Sequence, residues 1–413
     1  FTHELSVLCK IMEDIQNKLM PYICDANSAV QFKLVKSKED LETDDGFFFP
    51  DMSHQIFGEK EQIFGFTDLK LRIYYTASSL QIHTKLLYGR KINPEQFDGV
   101  KADDIMKSVR EVLPANVIEN VDDFSKKLDG EPNFKPFGEI IYNYTRQQKG
   151  KSTKRNFEIY KADMTNPNFK EYHQRIESFI LWFIDAACFI DSDDDKWDFY
   201  VVFEKCTEGG ITSHLFVGYS TCYRFYAYPD KIRPRISQVL VLPPYQRQGH
   251  CTELITAIYQ QYVPKAAVLD ITAEDPSENF QRVRDFIDSK NCLKLPEFQD
   301  SKLGQKFSKE MRKAAQEKYK INRRQARRVY EILRLRITPE NDDVAFTKYR
   351  LAVKSRLNEP MRKKFNVSLV KKKRHLLPAS LVPPKEERLL MLQREFETCL
   401  HEYKKVITRL DIS

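Results

Sequence analysis

The chain is 413 residues long, 41% hydrophobic and 31% charged, with 28 Phe and 20 Tyr. That length sets an expectation of two or three globular units, and the composition, free of collagen-like, repetitive or mucin-like bias, excludes a disordered or fibrous chain. Residues 1–300 carry 37 Lys and Arg against 46 Asp and Glu, whereas the last 113 carry 30 against 13, so an acidic body suited to a cationic substrate precedes a basic tail suited to nucleic acid or an acidic partner.

Residues 1–25 read as a helix, because Leu5, Leu8, Ile11, Met12, Ile15 and Leu19 recur at three- and four-residue steps. Strands are expected at Val30 to Val35, Leu69 to Thr76 and Gln81 to Leu87, with a helix at Asp103 to Val112. Together they predict a mixed α/β N-terminal region. The polar, basic stretch Gln147 to Arg155, with Gly150, reads as a loop into the next unit.

A helix over Asn168 to Ala187 is predicted from the face Tyr172, Ile176, Phe179, Ile180 and Phe183, ended by the acidic loop Asp191 to Asp195. Its apolar core, Phe179 to Ile184, falls far short of the ~20 residues that span a membrane, and no membrane or signal segment is expected. Trp197 to Lys205 and Leu215 to Tyr228 read as a hairpin about Gly209-Gly210, although a diglycine turn equally suits a loose loop. Ile236 to Leu242 is a buried strand, Glu253 to Tyr262 a helix and Ala267 to Ala273 a further strand, which makes a βαβ crossover.

Beyond Pro296 the chain turns helical and basic, with a helix at Ala326 to Arg336, then a linker around Lys371 to Arg374 and Pro378 to Pro384. Leu389, Leu392, Phe396, Cys399, Tyr403, Val406 and Leu410 alternate steps of three and four. This is an a/d seam, read either as a coiled coil or as a helix docked on its own protein. The run Lys371-Lys372-Lys373-Arg374 is either a nuclear address or a solvated charge run. Eight scattered cysteines without a C-x-x-C pair, and histidines that do not cluster near them, argue against a zinc site and a disulfide framework. A reducing compartment is therefore expected.

Chemistry concentrates after the buried strand, in Pro243-Pro244-Tyr245-Gln246-Arg247-Gln248-Gly249-His250-Cys251-Thr252. A strand, a tight glycine-bearing loop and a helix start offer free backbone N–H groups and a positive dipole end to an anion such as pyrophosphate. Neither the dinucleotide nor the P-loop fingerprint is present, and a plain strand-to-helix turn has the same spacing.

The run Gln246-x-x-Gly249-x-Cys251 resembles the Gln/Arg-x-x-Gly-x-Gly/Ala acetyl-coenzyme A loop of the GNAT superfamily of N-acetyltransferases. Four further segments, Tyr160 to Met164, Arg233 to Gln238, Leu269 to Ser277 and Ala326 to Arg334, are similar in order to the type B histone acetyltransferase catalytic subunits. The likeness runs from about residue 29 to 338. It implies an α/β (α+β) fold: an N-terminal mixed domain at 1–147, a GNAT acetyl-CoA-binding catalytic domain at 148–296 with a mixed sheet and βαβ cofactor crossover, a helical domain at 297–338, and a basic helical tail at 339–413.

The resemblance implies acetyl-CoA as cosubstrate, no metal, and transfer of acetyl to lysine on free, newly made histone, the tail of histone H-4 with its partner histone foremost. The base it implies is Glu274, with Asp275 and Asp185 as further carboxylates. For the cofactor it implies the backbone of Val239, Leu240 and Val241 and the loop Gln246, Arg247, Gln248, Gly249, His250, Cys251 and Thr252. For the substrate it implies Glu59, Lys60, Glu61, Trp197, Tyr223, Arg224 and Phe225, with Trp197 also readable as a core residue. Three positions depart from the family pattern: Cys251 stands where Gly or Ala is usual, Lys60 where an acid is usual, and Asp185 where Glu is usual. A WD-repeat histone chaperone as partner and a cytoplasmic and nuclear location are further implications.

Two rival readings stand beside the enzyme. One is a non-catalytic chromatin or nucleic-acid adaptor on a GNAT fold, using the basic tail, although no aromatic-interleaved basic stripe supports nucleic-acid binding. The other is a GNAT acting on a small amine, which leaves the acidic body and the N-terminal domain without a role.

Overall fold

The computed structural model describes residues 17–147, 153–339, 341–373 and 384–412. They form two units, one running up to Arg224 and including Ile236–Ala257, the other made of Phe225–Arg235 and the residues from Ile258 onward.

The first unit begins with a small sheet of β1 (Val30–Val35), β2 (Lys70–Thr76) and β3 (Ile82–Leu87), in that order. Strand β1 runs parallel to β2, and β3 returns antiparallel. The tight β2–β3 connection is held by Glu131, whose carboxylate accepts the N–H groups of Ser78 at 2.6 Å and Ser79 at 3.1 Å. Helix α1 (Val121–Leu128) starts where Asn120 caps the N–H of Asp122, and it buries Phe124 and Leu128 against Val35 and Tyr74.

The larger sheet takes the order β8, β7, β6, β5, β4, with β4 Glu139–Gln147, β5 Lys154–Ala162, β6 Trp197–Glu208, β7 Ile211–Ala227 and β8 Lys231–Val241. Phe199 to Phe203 on β6 are buried on both faces, as expected of a strand covered from both sides. Gly209 and Gly210 turn the β6–β7 hairpin at positive φ, the conformation a two-residue hairpin turn requires. A bulge leaves Val217 between the pairs Val202↔Gly218 and Phe203↔Phe216. One residue on, a Cβ at Gly218 would lie 2.2 Å from the carbonyl oxygen of Leu240, so only glycine lets β8 approach this closely.

Helix α2 (Pro167–Glu177) covers this sheet through Phe169 and Tyr172, whose rings meet Phe199 and Phe203. Just beyond it Phe179 stacks on Tyr75 of β2 at 4.2 Å, joining the two sheets in one core. The helix expected through Ala187 instead stops at Glu177. Ser178 turns its hydroxyl to the carbonyl of Arg175 at 2.6 Å, and a separate short helix occupies Ile180–Phe183.

In the second unit the first half of β8 is flanked by β9 (Thr272–Ala273). The strand expected from Ala267 is reduced to this pair of residues plus a bridge from Val268 to Ile232. Helix α3 (His250–Tyr262) leads from the first unit into the second. Then come α4 (Glu278–Cys292), α5 (Lys309–Tyr319), α6 (Arg323–Ile337), α7 (Asp343–Lys373) and α8 (Lys385–Ile412). The seam residues of α8 from Leu392 to Leu410 are buried, with α4, α6 and α7 as the packing partners. Leu389 alone among them is 55% exposed.

Lys371 to Lys373 end α7 rather than opening a linker, while Arg374 and the expected linker up to residue 383 lie outside the described residues. Residues 1–16 of the expected first helix, and Gly150, do so too. Residues 17–19 are helical and Met20–Tyr22 continue as a 3₁₀ turn, after which the chain enters the short strand Ile23–Asp25 rather than helix.

Candidate active site

The loop between β8 and α3 forms in three steps. Pro243–Tyr245 make a 3₁₀ turn, and Gln246 Nε2 donates back to the carbonyl of Val241 at 2.9 Å. Arg247 and Gly249 then adopt φ of 59° and 89°. Finally the carbonyl of Gly249 accepts the N–H groups of Thr252 and Glu253 at 3.0 and 3.2 Å, starting α3. Among the described residues nothing accepts the backbone N–H of Arg247, Gln248, Gly249 or His250. Consecutive unpaired N–H groups at the start of a 13-residue helix suit a diphosphate, so this chain's loop fits the cosubstrate that the sequence implies.

Strand β4 braces the loop from outside. Arg146 Nε donates to the carbonyl of Gln248 at 3.0 Å, and its Nη2 pairs with Glu253. Tyr142 donates to the other oxygen of Glu253 at 2.9 Å. A carboxylate in the first turn of the helix would repel a bound anion, and Arg146 neutralises it. A Cβ on Gly249 would come within 3.1 Å of Arg146 Nη2.

The side chain of His250 is buried, not available to a cofactor. Its Nδ1 shares a 2.7 Å hydrogen bond with the Tyr144 hydroxyl, its ring meets Phe157 at 4.5 Å, and burial lowers its pKa to about 4. Only its backbone N–H faces the role expected of it. Beneath the loop, Tyr245 donates to Glu204 at 3.3 Å, and Arg155 forks onto the same carboxylate. Burial pushes the Glu204 carboxyl up, and the Arg155 hydrogen bond and charge more than reverse this. Val239 and Val241 are half-buried while Leu240 is buried on the opposite side. The Cys251 thiol is free of any disulfide.

Elsewhere in the first unit the fold gathers the Glu59–Glu61 loop and Asp185 around a residue that the sequence did not single out. His54 Nδ1 lies 3.7 Å from Glu61, and its Nε2 lies 3.4 Å from Asp185. The Glu61 carboxylate also accepts Ser53 N at 2.6 Å, His54 N at 3.1 Å and Asn27 Nδ2 at 2.8 Å. The Ser53 bond leads in holding its pKa below the usual range. Glu59 and Lys60 stay exposed. Trp197 and Tyr223 sit opposite each other on β6 and β7 with rings 4.9 Å apart, edge to face. Tyr223 donates to Asp194 at 2.7 Å, and Arg224 Nε reaches Asp198 at 3.3 Å. The first contact sets the aromatic pair against the acidic loop, and the second ties Arg224 back to β6.

The second unit holds Phe225, Glu274 and Asp275. Arg235 of β8 lies over the Phe225 ring at 4.4 Å and reaches Glu274 Oε1 at 3.7 Å, bringing two of the expected residues onto one guanidinium. Asp275 comes next at φ 28°, so the chain turns sharply and leaves Glu274 half-exposed. Behind it, Arg284 Nη2 donates to the carbonyl of Ile271 at 2.7 Å, and Ile271 N donates to the carbonyl of Lys320 at 2.8 Å. Among the described residues no three metal-ligating side chains gather, and no helix is long and apolar enough to cross a membrane.

Residues 22–185 match the family described as histone acetyl transferase HAT1 N-terminus, and residues 284–335 the family described as histone acetyltransferase type B catalytic subunit, C-terminal. The chain is 43% identical over 401 residues to the histone acetyltransferase type B catalytic subunit of Mus musculus, with 96% of each chain covered. It is 42% identical to the protein of that name from Homo sapiens, over 96% of this chain and 95% of the other. Among solved structures it is similar to an aminoglycoside acetyltransferase from an uncultured soil metagenomic sample, at 20% identity over 32% of this chain and 86% of that one. The TM-score of 0.23 is too low for that likeness to bear on substrate.

Proposed function

Because the chain belongs to the family of histone acetyltransferase type B catalytic subunits and is a histone acetyltransferase, we propose that it acetylates lysine Nζ on free, newly made histone, the tail of histone H-4 foremost. Acetyl-CoA supplies the activated acetyl thioester, which the lysine amine attacks directly. The observation that carries the reading is the row of N–H groups from Arg247 to His250 that nothing among the described residues accepts, a seat for the diphosphate. The backbone of Val239, Leu240 and Val241, entering that loop, is offered to the peptide-like arm of the cosubstrate.

Lysine ionises near 10.4, so presenting its neutral amine near pH 7.4 costs on the order of 4 kcal/mol. A positioned carboxylate lowers that cost by taking the proton. Glu274 is the base in this reading. It closes β9 at a carboxyl end, where the ligand cleft of such sheets lies, and Arg235 restrains it at 3.7 Å. Asp275 and Asp185 are accessory acids, Asp185 steadied by His54. Trp197 with Tyr223, Arg224, Phe225 and the Glu59–Glu61 loop are offered to the histone tail. Cytoplasm and nucleus as locations, and a WD-repeat histone chaperone as partner, belong to the same reading and rest on the family resemblance.

Single-turnover acetylation of a saturating histone H-4 tail peptide tests this. Glu274→Gln keeps the shape but cannot accept the proton, so the rate should fall by about 10² to 10⁴ at neutral pH and recover at high pH, with acetyl-CoA affinity retained. Equal rates near neutrality would remove Glu274 from the mechanism.

A further inference from the structure

The second unit contains a cavity of about 300 Å³ between α6, α7 and the chain ahead of α5, lined among others by Lys306, Arg327, Tyr330, Arg334 and Tyr349. Arg327, Tyr330 and Arg334 recur at steps of three and four on α6 and so share a face. The cavity also touches Glu331, but that carboxylate is committed elsewhere. It accepts Arg356 Nε at 2.8 and 3.0 Å and the Tyr403 hydroxyl at 3.0 Å.

Positive charge is therefore left over. Among the described residues the neighbouring ion pairs join Arg327 and Arg356 to Glu331 and Arg336 to Asp411, leaving Lys306 and Arg334 without a carboxylate. Among the described residues the Arg334 guanidinium meets only the Tyr330 hydroxyl at 3.2 Å and the face of Tyr349 at 6.0 Å. Arg327 Nε stands 3.5 Å from Glu331 and is buried without a hydrogen bond. Tyr349 is 1% exposed and its hydroxyl has no hydrogen-bond partner among the described residues. Burial raises its pKa, so it stays a neutral donor. A buried donor without an acceptor, beside uncompensated cations, is costly unless an anion completes it.

We propose that this cavity binds a phosphate monoester. A phosphate dianion offers three strong acceptor oxygens and close to two charges, which matches two guanidinium groups, one ammonium and one phenol better than a single-charged carboxylate does. The rings of Tyr330 and Tyr349 give the organic part of the ester an aromatic wall. The volume lies at the small end of ligand sites, about 300–1,000 Å³, which fits one phosphorylated side chain or a small ester.

Calorimetry on the full chain, with and without saturating acetyl-CoA, tests this using phenyl phosphate, inorganic phosphate, a phosphotyrosine peptide and benzoate. Phenyl phosphate should bind saturably in both conditions and about tenfold more tightly than benzoate. Arg334→Met should weaken it at least about tenfold, the usual worth of a charged hydrogen bond, and Tyr349→Phe several-fold, with acetyl-CoA affinity unchanged. Should Arg334→Met fold poorly, the exposed Lys306→Met takes its place and must weaken binding too. Tighter binding of the peptide identifies a protein source, whereas inorganic phosphate binding as tightly as phenyl phosphate would show that the aromatic wall contributes nothing and would overturn the ester assignment. Absence of saturable phenyl phosphate binding, or binding that these variants leave unchanged, overturns it.

Discussion

Arg146 Nε donates a 3.0 Å hydrogen bond to the carbonyl oxygen of Gln248, 102 residues away in sequence. In the trans peptide that holds this carbonyl the N–H of Gly249 points the opposite way, so the bond fixes how that N–H is presented.

Arg146→Met should therefore loosen the loop and free the charge of Glu253 to repel an anion. The expected result is acetyl-CoA affinity weakened by about tenfold, on the scale of a charge-assisted hydrogen bond, with little change in melting temperature. Calorimetric titration of acetyl-CoA checks it, and unchanged affinity would mean that β4 does not support the loop.

Stability should depend on pH through Glu177. Its carboxyl is buried, accepts Ile190 N at 3.1 Å and lies 3.6 Å from His173, and burial raises its pKa to about 7. Burial also lowers His173 to about 3, so that ring stays neutral. Between the ordinary carboxyl value and pH 7 the folded state holds a proton that the unfolded chain has released, so stability falls as pH rises through this window and then levels off. The loss is on the order of 3 kcal/mol at most. Glu177→Gln keeps an acceptor for Ile190 and should abolish the decline, making the variant the more stable protein at pH 8. Thermal melts at pH 5 and pH 8 decide it: an equal pH dependence in both proteins would assign the titration to another group.

Removing residues 384–413 should destabilise the second unit rather than leave it intact. Helix α8 buries Phe396 and Tyr403, and it completes a charged lattice in which Arg356 and Tyr403 share Glu331 while Arg282 holds Glu402 at 3.1 Å. Losing large buried aromatics costs about 3–5 kcal/mol each, so the truncated chain should melt well below the full one or fail to fold. A truncated chain with an unchanged melt would show α8 to be an appendage.

Local chemistry made part of this legible. The strand Val30 to Val35 and the diglycine hairpin are written in their own residues, and the glycine-bearing loop between β8 and α3 could be placed from its neighbours alone. His54 and Arg146 could not be, because Asp185 and Gln248, which give them their place, lie 131 and 102 residues off and leave no periodic trace. His250 was readable in principle. It stands four residues before Leu254 and eight before Ile258, both fully buried, so helical phase already turns its ring inward. The heptad steps of α8 identify a buried face but not its partner, which turned out to be α4, α6 and α7 of the same chain. The break after Glu177 depends on one serine hydroxyl choosing a carbonyl, a choice that an apolar pattern does not record.

The first unit draws on Ile236–Ala257, which the ribosome makes only after Phe225–Arg235, a segment owned by the second unit. Residues up to Arg224 leave the ribosome without the strand end and loop that close their sheet, and at the usual ~5–20 residues per second they wait on the order of a few seconds for them. During that interval β7 is an open edge facing solvent, the kind of edge on which other chains pair. A nascent chain paused before residue 257 should therefore be a preferred client of chaperones that bind exposed strands.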